Sequence, residues 1–198
     1  MLEKKTREQQ AEETKQRIYL TALKLFEKKG FNYVSVDEIV KKSKSSKGAF
    51  YGHFSSKYDI FLEKFKEIDS FYEAFVQTLP EELCFEEKVI ALFDAQMTYL
   101  KYDLGEDLMR SVYTSGLIKG EDNFFANTSR SLYKILNLFV KEAVEKGEIP
   151  ISTNIEETGM LLSRCMRGTL YDWLSFGDNF HLNEEAINFV SIFLKGIK

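Results

Sequence analysis

Apolar residues recur at the three- and four-residue spacing of an α-helix along most of the chain. The first such segment predicts a helix over residues 8–29, with an apolar face from Ile18 to Phe26 and Gly30 as its C-terminal cap. No stretch alternates apolar and polar residues for long enough to require a strand. The pattern therefore predicts an all-α protein of about nine helices.

Two short helices are predicted after the first one, joined by a tight polar turn. Ser35 and Glu38 have the spacing of a capping box, which predicts a helix that reaches about Lys42. The polar turn leads into a second short helix over residues 47–53. A longer amphipathic helix followed by two short ones is the layout of a helix-turn-helix unit.

Six further helices are predicted in the rest of the chain, over residues 57–78, 86–101, 106–115, 125–146, 154–176 and 183–195. A loop that contains Gly116, Gly120 and Asn123 separates the third of these from the fourth. We expect two domains: a helix-turn-helix DNA-binding domain over residues 1–56, and a helical bundle over residues 57–198.

The distribution of charge differs between the two parts of the chain. The 198 residues include 27 Lys and Arg and 31 Asp and Glu, for a net charge of −4. Residues 1–60 hold 13 cations and 8 acids, a net charge of +5, whereas residues 61–198 hold 14 and 23, a net charge of −9. The positive net charge of residues 1–60 is suited to binding a polyanion, although an uneven distribution of this size also arises by chance. The negative net charge of the whole chain excludes a protein that coats nucleic acid generally.

Other classes of protein are disfavoured by what the sequence contains. The longest apolar run is too short to span a bilayer, and the first sixteen residues are too polar for a secretory signal. Cys84 and Cys165 lack a metal-ligand spacing and are too few for a disulfide framework. We expect a cytoplasmic protein without a membrane segment, metal or cofactor. Two histidines and the lack of a nucleophile or phosphate-loop motif argue against an enzyme.

The segment between Lys41 and Lys57 has no acidic residue, as a helix that lies against DNA requires. Around it stand Leu25-Phe26, Gly30-Phe31, Val34-Ser35-Val36, Ile39-Val40, Ser46-Lys47-Gly48, Phe50-Tyr51, His53-Phe54 and Ser56-Lys57. In these residues the chain resembles the tetracycline-repressor (TetR) family, over about Arg17 to Leu62. The resemblance implies a dimeric DNA-binding protein, usually a repressor, that a small molecule in the C-terminal part releases from its double-stranded DNA operator.

The resemblance and the outward residues of the turn and third helix together predict the DNA contacts. The candidate DNA-binding residues are Ser35, Lys44, Ser45, Ser46, Lys47, Gly48, Ala49, Tyr51, His53 and Lys57. The family pattern places Ser35, Tyr51, His53 and Lys57 at phosphates, and Ser45, Lys47, Gly48 and Ala49 at base edges. Lys44 stands where the family usually has Gly, which predicts a strained turn because Gly adopts positive φ readily.

Polar side chains among apolar helix faces predict a pocket for an apolar or aromatic effector in the C-terminal domain. The candidate pocket residues are Phe93, Gln96, Met97, Tyr113, Phe125, Tyr133 and Trp173. The last helix is apolar around most of its circumference, which predicts a homodimer interface built by the last two helices of each subunit. The candidate interface residues are Met160, Arg164, Gly168, Tyr171, Phe189 and Phe193.

Two other functions remain open at this point. A DNA-bound architectural or cell-organisation protein would share the helix-turn-helix unit but would lack a pocket that opens for an effector. A stand-alone small-molecule binder would keep the same unit only as a vestige. Ordinary core packing is the alternative for each single pocket residue.

Overall fold

The structure, a computed structural model, describes residues 6–116 and 125–197, so the predicted loop positions Gly120 and Asn123 lie outside the described residues. Within these ranges all regular structure is helical, which confirms the predicted fold class. The helices group into two compact units that are divided between Glu67 and Ile68. The first unit contains α1 (Arg7–Lys29), α2 (Val36–Ser43), α3 (Lys47–His53) and the beginning of α4 (Lys57–Val76).

The second unit contains the rest of α4 and five further helices: α5 (Phe85–Tyr99), α6 (Glu106–Gly116), α7 (Ser131–Glu145), α8 (Ile155–Phe176) and α9 (Leu182–Gly196). A π-helical turn, Leu100–Leu104, follows α5 directly. In this unit α8 packs against α7 and α9, and α5 packs against α7 and α9. No helix of the described residues is long and apolar enough to cross a membrane.

Side-chain caps begin the helices of the first unit. Ser35 Oγ accepts the Glu38 N–H at 3.2 Å, so the predicted cap is present. The reciprocal half of the predicted capping box is wrong, because the Glu38 carboxylate pairs with Lys29 of α1. That ion pair joins α1 to α2, two helices that also share the small core of the unit.

The core of the first unit is formed by the apolar faces that the sequence periodicity marks. Ile18 and Ala22 of α1, Ile39 of α2 and Phe50 of α3 are all fully buried. Phe54, which follows α3, is also buried. Burying these side chains fixes the positions of α2 and α3 on α1, and the opposite face of α3 is left to solvent.

The start of α7 differs from the prediction. A helix from Phe125 is wrong, because α7 begins at Ser131. Asn127 Oδ1 accepts the Ser129 N–H at 3.1 Å, which closes an Asx turn and competes with helix. Arg130 then makes two hydrogen bonds of 3.1 and 3.0 Å to the Asp69 carboxylate.

Candidate functional site

The solvent-facing side of α3 carries polar groups, and the opposite side carries the buried Phe50. Lys47 and Gly48 are exposed, Ala49 is half-buried, and the Tyr51 side chain is 55% exposed. Phe50 points the other way and is fully buried. Lys47 and Tyr51 lie four residues apart on the helix, so one ammonium and one phenol share a surface whose backbone is fixed by the core beneath it.

The turn between α2 and α3 contains a lysine in a conformation that glycine favours. Lys44 has φ 52° and ψ 41°, and it is the one non-glycine residue with positive φ in the described ranges. The N–H of Ser45 donates to Val40 O at 3.1 Å, and Arg17 Nε donates to Ser43 O at 2.9 Å. The turn thus keeps its hydrogen bonds without Gly, and the exposed Lys44 side chain adds a cation beside α3.

Two of the predicted serines act as helix caps. Ser46 Oγ accepts the Ala49 N–H at 3.0 Å at the start of α3, as Ser35 Oγ does for Glu38 at the start of α2. Both serines are exposed. A hydroxyl that accepts one hydrogen bond can still donate its own proton, so each can also bond to a phosphate oxygen.

Two further predicted residues are half-buried at the edges of this surface. Ser45 Oγ lies 2.8 Å from Ser43 Oγ. The His53 ring lies with its centroid 6.5 Å from that of Phe54. These two side chains have less freedom to reach DNA than Lys44, Lys47 and Tyr51 have.

Lys57 is held by the protein itself. Its Nζ donates to Phe31 O at 2.8 Å and to Val34 O at 3.0 Å, and it lies 4.5 Å from the centroid of the Phe31 ring. Burial lowers the pKa of Lys57. A DNA phosphate would have to share this ammonium with the carbonyl oxygens, so Lys57 first of all fixes the start of α4 against the segment before α2.

An acidic residue that is not among the predicted DNA-binding residues lies beside α3. Asp37, in the first turn of α2, accepts from Lys47 with 2.6 Å between Oδ1 and Nζ. The two side chains are 68% and 64% exposed, respectively. The hydrogen bond to Asp37 raises the pKa of Lys47. The segment between Lys41 and Lys57 has no acidic residue in the sequence, but in the folded structure Asp37 lies beside it.

A concave surface adjoins the exposed face of α3. It is lined by Asn32, Tyr33, Val34, Ser35, Val36, Tyr51, Ser55, Ser56 and Lys57. Tyr33 is 84% exposed and was not predicted, because in the sequence it is one of two aromatic residues in the short segment between two helices. The surface brings together Ser35 before α2, Tyr51 on α3 and Lys57 at the start of α4.

In the second unit, a glutamine is buried with part of its amide unpaired. Gln96 on α5 is 4% exposed, and its Nε2 donates to the hydroxyl of Tyr72 at 2.7 Å. Its Oε1 has no hydrogen-bond partner, the one such atom among the buried side chains of the described residues. Rotating the amide would pair the oxygen with Tyr72 and leave the nitrogen unpaired instead. Burial also raises the pKa of Tyr72.

The remaining predicted pocket residues fall into two groups. Phe93 and Met97 flank Gln96 on α5 and are fully buried. Phe125 contacts the Tyr113 ring at 5.0 Å between centroids, and its carbonyl accepts from the Tyr133 hydroxyl at 2.7 Å. The Tyr113 hydroxyl donates to the carbonyl of Arg167 at 2.7 Å, and burial raises the pKa of Tyr113. Trp173 on α8 is buried as well.

One side of α8 and α9 carries apolar side chains in solvent. Tyr171 is 60% exposed, and Phe189 and Ile192 are 47% and 70% exposed. Gly168 is exposed between them, and a Cβ placed there would lie 3.8 Å from a ring carbon of Phe189. Arg164 is also exposed, whereas Met160 and Phe193 are half-buried. We call this the α8/α9 face.

Comparison with known proteins places the chain among transcriptional regulators. Residues 18–63 match the family model of bacterial regulatory proteins, tetR family. Over these residues the chain is similar to the TetR family. It is 26% identical to the HTH-type transcriptional regulator AcrR of Shigella flexneri, over 94% of this chain and 90% of that one, and 28% identical to SrpR of Pseudomonas putida, over 85% and 79%.

The fold is also that of TetR-family proteins. The crystal structure of Thermus thermophilus FadR, a TetR-family repressor in complex with lauroyl-CoA, aligns with a TM-score of 0.77 and 20% identity, over 93% of this chain and 95% of that one. The matching proteins are regulators rather than enzymes. No group of three or more potential metal ligands occurs among the described residues. Cys165 is buried, which raises its pKa, and Cys84 is exposed.

Proposed function

We propose that this protein is a homodimeric TetR-family repressor that binds a near-palindromic operator and leaves it when a small-molecule effector binds. The observation that carries the proposal is the exposed polar side of α3, with Lys47 and Tyr51 in solvent above the buried Phe50. The net charge of +5 in residues 1–60 supports a polyanion as the partner of this unit.

The ten predicted DNA-binding residues divide into phosphate contacts and base contacts in this proposal. Ser35, Ser46, Tyr51 and His53 supply donors for phosphate oxygens, and Lys44 and Lys57 supply positive charge. Ser45, Lys47, Gly48 and Ala49 lie where base edges of the major groove would be read, with the Ala49 methyl suited to the methyl group of thymine. Lys57 acts mainly through the segment that it positions, because carbonyl oxygens hold its ammonium.

We propose that two copies associate through the α8/α9 face. Exposed Tyr171, Phe189 and Ile192 form apolar area that a second copy would cover, and the exposed Gly168 would let a partner helix come close. Met160, Arg164 and Phe193 would complete the contact. A two-fold dimer of this kind would place its two α3 helices about 34–36 Å apart, in successive major grooves.

We propose that the effector enters the second unit at Gln96. The unpaired Oε1 is a buried acceptor on the helix that also carries the buried Phe93 and Met97, so a suitable effector has an apolar part and an N–H or O–H donor. The lauroyl-CoA complex of the Thermus thermophilus relative makes an amphipathic acyl compound the first probe. Tyr113, Phe125, Tyr133 and Trp173 would line the rest of the effector pocket in this proposal.

Selection of bound sequences from random double-stranded DNA tests the proposed operator. The proposal expects a near-palindromic motif bound by a dimer, with affinity that falls steeply as salt rises. Bound DNA with no enriched motif, or a motif bound by a monomer, would contradict it.

A DNA-binding architectural protein without an effector is the second candidate. It is favoured by the second-unit core, because Phe93 and Met97 are fully buried and the Tyr113 and Tyr133 hydroxyls are already bonded to carbonyls. A thermal-shift series with lauroyl-CoA and aromatic cations separates the two candidates. A repressor with an effector gains thermal stability and loses operator affinity with at least one compound, whereas an architectural protein changes with none.

A further inference from the structure

The ion pair between Asp37 and Lys47 is poorly explained by stability. Both side chains are about two-thirds exposed, and exposed ion pairs add little to stability because water and salt screen them. An acid beside a DNA-binding helix also repels phosphate. A role for the pair is therefore sought in the hydrogen-bond donors and acceptors that it presents to solvent.

The pair presents a donor and an acceptor side by side. Lys47 begins α3 and Asp37 lies in the first turn of α2, and the 2.6 Å contact joins Nζ to Oδ1 of the carboxylate. An ammonium has three donors, so Lys47 keeps two while it bonds to Asp37. A carboxylate accepts through both of its oxygens, so Asp37 can bond to Lys47 and also accept from a base.

A G·C base pair has the matching pattern in the major groove. Guanine presents two neighbouring acceptors, O6 and N7, and its paired cytosine presents the N4 amino donor beside them. An A·T pair has no two neighbouring acceptors, and its thymine O4 would face the Asp37 carboxylate as a second acceptor. The arrangement of the two side chains therefore favours G·C.

We infer that Asp37 and Lys47 together read one G·C pair in each operator half-site, with Lys47 on guanine O6 and N7 and Asp37 on the cytosine N4 amino group. This inference rests on the proposed DNA-binding function and adds a residue, Asp37, that determines specificity. It also gives a reason for an acid at this place, because Asp37 rejects bases that present an acceptor where cytosine presents its donor.

Selection of bound DNA with the full-length chain and its Asp37→Ala variant tests the inference. The unchanged protein selects one invariant G·C pair in each half-site. Asp37→Ala loses the preference at that position by about 5- to 150-fold, as for one good base contact, and keeps the rest of the motif. Its affinity for unrelated DNA stays the same or rises, because a negative charge is gone.

Two further variants keep the test decisive. Asp37→Asn preserves the size of the side chain and adds an amide donor that can pair with thymine O4. It therefore relaxes the discrimination against A·T at that position, while Lys47 still favours guanine. Glu27→Ala, an exposed acid on α1, removes the same charge and leaves every base preference unchanged. A motif that the Asp37 variants select unaltered would overturn the inference and leave the proposed function intact. An unchanged protein that selects no motif would overturn both.

Discussion

Replacing both members of the buried Gln96–Tyr72 pair should stabilise the protein. The pair makes one hydrogen bond of 2.7 Å, yet it leaves Gln96 Oε1 buried without a partner. The double variant Gln96→Leu with Tyr72→Phe removes the hydrogen bond and the unpaired atom together, with little change in volume. The single variant Tyr72→Phe instead leaves the whole Gln96 amide unpaired.

The expected magnitude follows from two opposing terms. A buried unpaired acceptor costs about 1–3 kcal/mol, and the lost hydrogen bond contributes about 0.5–1.5 kcal/mol. The double variant should therefore raise the free energy of unfolding by about 1 kcal/mol, and Tyr72→Phe alone should lower it by about 1–3 kcal/mol. In a chain of this size 1 kcal/mol shifts the Tm by about 2–4 °C.

Urea unfolding at fixed protomer concentration measures both variants. Trp173 is the only tryptophan and is buried on α8, so its fluorescence reports on the unit that contains the pair. A double variant that is less stable than the unchanged protein by 1 kcal/mol or more would refute the reasoning, because Oε1 would then have a favourable partner. If Gln96 also anchors the effector, the more stable double variant no longer responds to it.

Three other substitutions test separate parts of the structure. Gly159→Ala on α8 should leave the free energy of unfolding within about 1 kcal/mol of the unchanged protein. Its Cβ would lie 2.0 Å from Asn137 Oδ1, so the end of that side chain must turn away, and this cost offsets the gain of about 1 kcal/mol in helix propensity. A loss of about 2 kcal/mol or more would contradict this. In Gly168→Ala the new Cβ meets nothing closer than Phe189 at 3.8 Å, so the subunit should still fold. The variant should weaken dimerisation, which sedimentation velocity measures. An unchanged dissociation constant of the dimer would place the interface elsewhere. Lys44→Gly should raise the free energy of unfolding, measured with urea, by up to about 1 kcal/mol. The left-handed conformation costs a non-glycine residue about 1–2 kcal/mol, and the greater freedom of glycine in the unfolded chain offsets part of this. A loss of stability would show that Lys44 is unstrained.

Local signals made the helices of the first unit predictable from the sequence. Apolar spacing identifies buried Ile18 and Ile39, and the caps Ser35 and Ser46 act through residues only three positions away. Such interactions depend on neighbours that the sequence itself displays. The exposure of Lys47 and the burial of Phe50 follow from the same helical period.

Contacts between distant residues were not predictable in this way. The Glu38 carboxylate pairs with Lys29 of a different helix, and Lys57 binds carbonyl oxygens 23 and 26 positions before it. The Asp37–Lys47 pair needs the starts of α2 and α3 to lie side by side, which only the packed core determines. The start of α7 was misjudged for another reason, because Asn127 closes a local turn within an apolar helical pattern.

The affinity of the purified dimer for its selected operator, measured over a range of salt concentrations, tests the central claim most directly. The variant Lys44→Gln with Tyr51→Phe removes one cation and one phenol from the exposed surface beside and on α3. Lys134→Gln removes an exposed cation from α7 as the control. The account predicts at least a tenfold loss of affinity for the double variant and a salt slope smaller by about 2 per dimer, with no change for the control. Equal affinity and equal slope in all three proteins would contradict a DNA-binding role for this surface.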